Sequence, residues 1–217
     1  LRKMISILHP SRWRPEMALK AWNEWITAAN NPGQIEYILS LDTSDSTQNE
    51  YVRLFEHTDV QIIINHNRSI VDAVNRAAKV AKHDIFVVVS DDFGCPLDWD
   101  MDVVGYCADE NPVLLHVNDT IQKDICTLPI MNRKFYDRFG WVYHPHYYSM
   151  FADNDLTECA KKIGAYVSDF SLTFEHRHYV NGKNKRDKTY DRENSKQAWD
   201  IGKRVFQQRK LRQFELP

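Results

Sequence analysis

The sequence lacks most of what the commoner nucleotide-binding and membrane architectures require. Only seven glycines occur in 217 residues. None are grouped as a Gly-rich phosphate loop of the P-loop or dinucleotide type. Kinase-like and dehydrogenase-like chemistry loses its main support there. Apolar runs are short: Ile85–Val89 is among the longest, far below the roughly 20 residues of a membrane-spanning helix. Leu1–Leu8 carries positive charge but no adequate apolar region or small-residue cleavage site, so it does not read as a signal peptide. The four cysteines, Cys95, Cys107, Cys126 and Cys159, form no Cys-x-x-Cys pair. They read as free thiols in a reducing, cytoplasmic setting. An excess of one charge is missing too. Lys and Arg total 28 against 30 Asp and Glu, a net of −2, which excludes a generally basic nucleic-acid binder.

The near-neutral total hides a split. Residues 181–217 hold 11 basic and 5 acidic side chains, leaving 17 and 25 for residues 1–180. The chain is therefore an acidic body with a basic tail. Its length suits one ordinary domain, and 43% hydrophobic with 27% charged residues is an ordinary globular balance.

Up to residue 92 apolar strands alternate with helical periodicities. Ile5–Leu8, Ile35–Leu41, Val60–Ile64 and Ile85–Val89 read as strands. Ala18, Ala21, Trp22, Trp25, Ile26 and Ala29 follow Pro15 at helical spacing, and Ile70, Val71, Val74, Ala77, Ala78 and Ala81 form a second stripe. A short helix fits Tyr51–Phe55. This alternation predicts an α/β fold with a mostly parallel sheet between helices. Beyond Pro96 the pattern loosens. Val113–Val117, Cys126–Ile130 and Tyr166–Phe174 read as strands, and Arg133–Phe139 and Asp153–Ile163 as helices. Asn181–Lys188 reads as a mobile polar loop, and Tyr190–Arg212 as one charged helix.

In open parallel sheets, ligands bind outside the carboxyl ends of the strands. Those ends are polar here: His9-Pro10-Ser11-Arg12, then Asp42-Thr-Ser44-Asp45, then Asn65 to Arg68, then Ser90-Asp91-Asp92. Two adjacent carboxylates after a buried strand repel unless a cation or hydrogen bonds relieve them. Either a hard divalent ion is held there, or an aspartate caps the next turn. In Glu175-His176-Arg177-His178 an extended backbone projects both histidines to one face, as metal ligands or as hydrogen-bonded surface groups. Asp153 and Asp155 open a helix, whose N-terminus favours an ionised carboxylate. Such a group can accept a proton or simply cap.

Together these elements resemble a glycosyltransferase of the GT-A fold, most like family 2, over roughly Ile5 to Tyr179. Ile5 to Pro15 is similar to the family's opening strand and nucleotide loop. Ile35 to Ser44 is similar to its base-binding strand, and Asn67 to Asn75 to its second nucleotide segment. Ser90-Asp91-Asp92 falls where the family carries its Asp-x-Asp motif, with Ser90 replacing the first aspartate. Asp98-Trp99-Asp100 resembles the residues that often follow. Asp153-Asn-Asp-Leu156 resembles the base-bearing helix, with Ala152 where an acid is usual.

The resemblance implies a GT-A domain over 1–180 and a basic loop with a C-terminal helix over 181–217. It implies an inverting, metal-dependent transfer from a nucleoside diphosphate sugar, UDP-sugar favoured, to an acceptor hydroxyl. Asp153 would be the base and Asp155 its reserve. Pro10, Ser11, Arg12, Asp42, Arg68, Asn75 and Asp91 would hold the nucleotide sugar. Asp92, His176 and His178 would hold Mn²⁺ or Mg²⁺. The acceptor stays open among glycan, lipid, protein and modified nucleic acid, with Trp141, Tyr143, Tyr147 and Tyr148 as a candidate platform. His144 and His146 could shape that pocket. Two rival readings are a non-catalytic nucleotide- or glycan-binding module and a nucleotidyltransferase. For the tail, Lys183, Lys185, Arg186 and Lys188 suggest a lid over the donor. Lys203, Arg204, Arg209, Lys210 and Arg212 suggest an acidic partner or a solvated face.

Overall fold

Seven strands form one sheet in the order β3-β2-β1-β4-β6-β5-β7, seen in a computed structural model that describes residues 3–216. The strands are β1 (Ile5–Pro10), β2 (Ile35–Asp42), β3 (Gln61–Asn65), β4 (Ile85–Val88), β5 (Leu114–Asn118), β6 (Ile130–Asn132) and β7 (Tyr166–Thr173). β1 to β4 pair in parallel, as their near-continuous apolar runs require. Every residue of β1 and β4 is buried. β6 runs antiparallel to both its neighbours, β4 and β5, and β7 closes the sheet parallel to β5.

Helices cover both faces: α1 (Pro15–Thr27), α2 (Gln48–Leu54), α3 (Ile70–Val80), α4 (Trp99–Cys107), α5 (Arg133–Phe139), α6 (Ala152–Lys162), α7 (Lys188–Glu193) and α8 (Lys196–Leu211). Side-chain alternation along the strands divides the core. Leu8, Phe86 and Val88 join Val74, Phe135 and Leu156 on one side. Ile5, Ile7, Ile85 and Val87 join Trp25, Trp99 and Val103 on the other. All four cysteines are free thiols, and no helix of the described residues is long and apolar enough to cross a membrane.

Three elements depart from the sequence expectation. The strand expected at Cys126–Ile130 lies instead at Ile130–Asn132. Pro129 has no N–H for a ladder, and its carbonyl accepts Val88 N–H just where pairing begins. Trp99–Cys107 is a helix that the pattern did not reveal. Its inward Trp99, Val103 and Cys107 are separated by Asp100 and Asp102. Asp100 is buried nonetheless, because it accepts the Asn30 and Asn31 amides at 2.7 and 2.9 Å. The charged segment 190–212 is two helices, not one. Ser195 breaks it by accepting Ala198 N–H as an N-cap.

α8 is held on the body by a buried ion pair and a close backbone approach. Arg209 Nε donates to Asp155 Oδ2 at 2.6 Å, with both side chains almost fully enclosed. Tyr147 Oη donates to the same carboxylate oxygen at 2.9 Å. Gly202 lies against Met150, where an added Cβ would come within 2.2 Å of the carbonyl oxygen. Asp155 is therefore a structural anion rather than a reserve base. Removing one partner of such a pair strands a buried charge. Arg209→Ala is expected to lower unfolding free energy by roughly 3–5 kcal/mol in urea titration. The volume-matched double variant Asp155→Leu/Arg209→Met should cost clearly less. Equal losses would show that the pair's charge is not what matters.

Candidate active site

The carboxyl ends of β1, β2 and β4 face one half-open pocket, whose free space with the open mouth included is ≈ 510 Å³. Its wall includes Pro10, Ser11 and Arg12 after β1, Ser40 and Asp42 of β2, and Ser90 and Asp91 after β4. Asn67, Ser69 and Ile70 add the start of α3, and Thr189, Arg192 and Glu193 add α7. Five residues expected at the nucleotide site thus meet in one cavity: Pro10, Ser11, Arg12, Asp42 and Asp91.

Asp91 has only 4% of its side chain exposed. His9 Nε2–H donates to its Oδ1 at 3.0 Å and Ser11 Oγ–H at 2.6 Å. With Nε2 donating, Nδ1 is left to accept the Tyr37 hydroxyl at 2.6 Å. With Ser11 donating, Tyr51 Oη–H donates to Ser11 at 2.7 Å and accepts Arg14 N–H at 2.9 Å. Arg14 Nη1 stands 3.7 Å from Asp91 Oδ2. It also grips Asp187 through two bonds of 2.7 and 2.8 Å.

Asp92 points to a different set. Ser90 Oγ donates to Oδ1 and Tyr190 Oη to Oδ2, both at 2.6 Å. His176 Nε2 lies 3.5 Å from Oδ2. Burial alone would raise the Asp92 pKa, but His176 and the two hydroxyls hold it well below the usual carboxylate range. His176 stacks on Phe93 with ring centres 4.1 Å apart. His178 Nδ1 accepts Val180 N–H at 3.3 Å and caps the turn Tyr179–Asn181, with its ring centre 5.1 Å from that of His176.

Asp42 acts as a bracket. Its oxygens accept the amides of Ser44 and Asn67 at 2.8 and 2.7 Å and the Ser44 hydroxyl, and Arg12 Nη1 stands 2.8 Å away as an ion pair. Burial opposes its charge, yet these donors keep its pKa below the ordinary range. Buried atoms beside it have no protein partner: Ser40 Oγ, Ser69 Oγ and Asn67 Oδ1. Unsatisfied polar atoms lining a cavity are groups that a polar ligand can complete.

Two expected nucleotide residues stand outside the cavity wall. Arg68 is exposed and forks to Asp72 at 2.6 and 2.8 Å. Asn75 accepts the Val142 and Tyr143 amides and donates to the Tyr143 carbonyl, fixing the 142–148 loop. The Lys183, Arg186 and Lys188 side chains also turn elsewhere, to Glu175, Asp191 and the Trp13 ring. The tail reaches the pocket through α7 instead. Thr189 donates to the Arg12 carbonyl at 2.9 Å, and Arg192 to the Arg68 carbonyl at 2.9 Å.

Asp153 sits in the first turn of α6. Burial pushes its pKa up to about 6, against the lowering effect of the Asn154 and Asp153 amides, and the Asp119 charge adds to the rise. His9 stood among the polar strand ends with no role assigned, and no role was expected of Arg14, Tyr51 or Tyr190. Their roles come from distant pairing, and a tyrosine in a charged helix gives no signal.

Among the described residues, no three His, Cys, Asp or Glu side chains could hold a metal ion by themselves. Asp92 and His176 fit a cation that takes its remaining ligands from phosphate oxygens, as Mg²⁺ sites commonly do.

No family model and no curated protein matches the sequence. Solved structures do match the fold. A mannosyltransferase from Pyrobaculum calidifontis, in complex with GDP-Man and Mn²⁺, superposes with TM-score 0.64 at 12% identity, over 97% of this chain and 76% of its own. S. aureus TarS 1–349 superposes in complex with UDP, with TM-score 0.61 at 11% identity, over 79% of this chain and 59% of its own. Its complex with UDP-GlcNAc gives TM-score 0.62 at 11% identity, over 79% and 57%. The chain therefore has the GT-A glycosyltransferase fold.

The Asn75 geometry is directly testable. Asn75→Ala strands two amides and a carbonyl and should cost about 1–3 kcal/mol in chemical unfolding. Affinity for a nucleoside diphosphate, by calorimetry, should stay within twofold. A large affinity loss with normal stability would put Asn75 in the binding site.

Proposed function

We propose that the chain is an inverting, metal-dependent glycosyltransferase that moves a sugar from a nucleoside diphosphate sugar to an acceptor hydroxyl. The observation that carries this reading is a strand-end pocket lined by Asp91, with the next residue, Asp92, turned to His176. Two buried carboxylates with separate donor sets suit a site that handles phosphate-bound cations and hydroxyls. The solved neighbours, captured with GDP-Man, UDP and UDP-GlcNAc, support a nucleotide-sugar donor. One neighbouring protein holds GDP-Man and the other uridine nucleotides, and a UDP-sugar remains the donor proposed.

In this reading the nucleoside lies against Pro10, Ser11, Arg12 and the Asp42 bracket. The unpaired Ser40, Asn67 and Ser69 atoms offer it hydrogen bonds. Asp91 is poised for ribose or sugar hydroxyls. Asp92 and His176 would hold Mn²⁺ or Mg²⁺, which when bound neutralises charge growing on the departing diphosphate. Asp153 takes the proton from the acceptor hydroxyl as the oxygen attacks the anomeric carbon. Attack comes from the face opposite the leaving group, so configuration inverts. A base with a pKa of about 6 is ionised at neutral pH, and its conjugate acid is strong enough to release the proton afterwards. α7 shuts water from one side of the pocket, since Tyr190 and Thr189 tie it to Asp92 and Arg12.

A panel of nucleotide sugars, with sugar release or transfer as readout, tests the class. Turnover of at least one donor is expected, and none across UDP-, GDP- and dTDP-sugars would support a non-catalytic binding module. The base is tested by pH. Asp153 is raised above its unfolded value, so it becomes protonated, and useless as a base, from higher pH than an ordinary aspartate. kcat/KM should fall as pH drops through about 6. Asp153→Asn should lose roughly 10²–10⁴ in kcat with donor affinity preserved. Transfer that survives this change would place the base elsewhere.

A further inference from the structure

Arg177 stands between the two histidines of the 175–178 segment and makes the most elaborate ion pairing near the site. Nη1 and Nη2 fork onto Glu24 of α1 at 2.7 and 2.6 Å, and Nε reaches Glu175 at 3.1 Å. The pairing spans 153 residues of sequence. About a quarter to a third of each partner in the fork is exposed, 32% for Arg177 and 26% for Glu24. The fork is bidentate and tied to Glu175, so it fixes an orientation between α1 and the 175–178 segment.

The fork runs over Gly94. An added Cβ there would lie 2.3 Å from Arg177 Nη2 and 2.8 Å from Glu24 Oε1. Gly94 is thus the gap that lets the guanidinium pass. The same two segments are joined on both sides of the fork. Gly94 N–H donates to the Glu175 carbonyl at 2.9 Å, and Arg177 N–H donates to the Asp92 carbonyl at 2.7 Å. Phe93 and His176 form an isolated antiparallel bridge and stack their rings. Trp25 Nε1, also on α1, donates to the Phe93 carbonyl at 2.9 Å. So α1 grips residues 92–94 through Trp25 and residues 175–177 through Glu24.

We infer that the Glu24–Arg177 fork, threaded across Gly94, is a positioning device that sets His176 against Asp92 so that the two can share one cation. The inference rests on the proposed donor and metal reading. Arg177 touches neither carboxylate of the Asp91–Asp92 pair. It acts through the backbone that carries His176, as outer partners of metal ligands do. The guanidinium's planar fork suits this better than a lysine, because two parallel bonds fix an orientation as well as a distance.

Three variants break the device by different routes. Arg177→Met removes the fork, Glu24→Gln weakens it, and Gly94→Ala pushes the flexible guanidinium aside while leaving both charged partners in place. The probes are UDP with and without Mn²⁺, titrated by calorimetry, together with thermal melting. Each variant should lose roughly tenfold of the Mn²⁺-dependent gain in UDP affinity, keep its metal-free UDP affinity, and melt within a few degrees of the parent. The double variant Gly94→Ala/Arg177→Met should be no worse than the poorer single, since both act on one fork. Unchanged Mn²⁺-dependent affinity in the variants overturns this inference alone. Parallel losses of melting temperature and metal-free affinity overturn it as well, by showing a general structural role. A parent protein whose UDP affinity ignores Mn²⁺ overturns both this inference and the metal reading beneath it.

Discussion

Asp91 and Asp92 are neighbours in sequence, follow the most apolar strand and are almost wholly enclosed. Two charges placed that way repel each other and lose their water. The fold answers by turning them apart and surrounding each with its own donors. Asp91 faces back to β1 and α1 through His9, Ser11 and Arg14. Asp92 faces the C-terminal segments through His176 and Tyr190. Four stretches distant in sequence are thereby committed to one place. The carboxyl end of β1, the entry to α1, the segment after β7 and the short α7 all converge on these two side chains.

The charge split of the chain is settled largely away from these two carboxylates. The tail returns over the acidic body, and Arg192 is the tail cation that lines the pocket. Lys183 and Arg186 are spent on Glu175 and Asp191, and Arg209 on the buried Asp155. Contact with the pocket is made by Thr189, Arg192 and Glu193 of α7. Tyr190 supplies the bond from the tail to Asp92, helped by the Arg14 guanidinium 4.1 Å from its ring centre.

The first half of the fold was legible because parallel strands buried on both faces are written as plain apolar runs. Ile5–Leu8, Ile35–Leu41 and Ile85–Val89 announced themselves, and the rule that ligands sit at strand ends led to Ser11, Asp42 and Asp91. Legibility failed where a local pattern was overridden by a distant partner. Asp100 was read only as part of the Asp98-Trp99-Asp100 resemblance, yet it is buried and accepts the Asn30 and Asn31 amides between α1 and β2. Asp155 looked like a helix-start acid, but Arg209, 54 residues later, pairs with it. Asn75 carries the spacing of a nucleotide segment and spends its amide on the Tyr143 backbone. Tyr190 carried no signal, because the sequence cannot say which tyrosine of a polar helix meets Asp92.

The proposed function requires the pocket lined by Asp91, with Asp92 next to it, to bind a nucleoside diphosphate together with a divalent cation. Isothermal titration of the whole chain with UDP in Mn²⁺, repeated after chelation, addresses it most directly. Saturable binding at one site, weakened when the metal is removed, is the predicted result. No binding of uridine, guanosine or thymidine diphosphate in the presence of metal would contradict it.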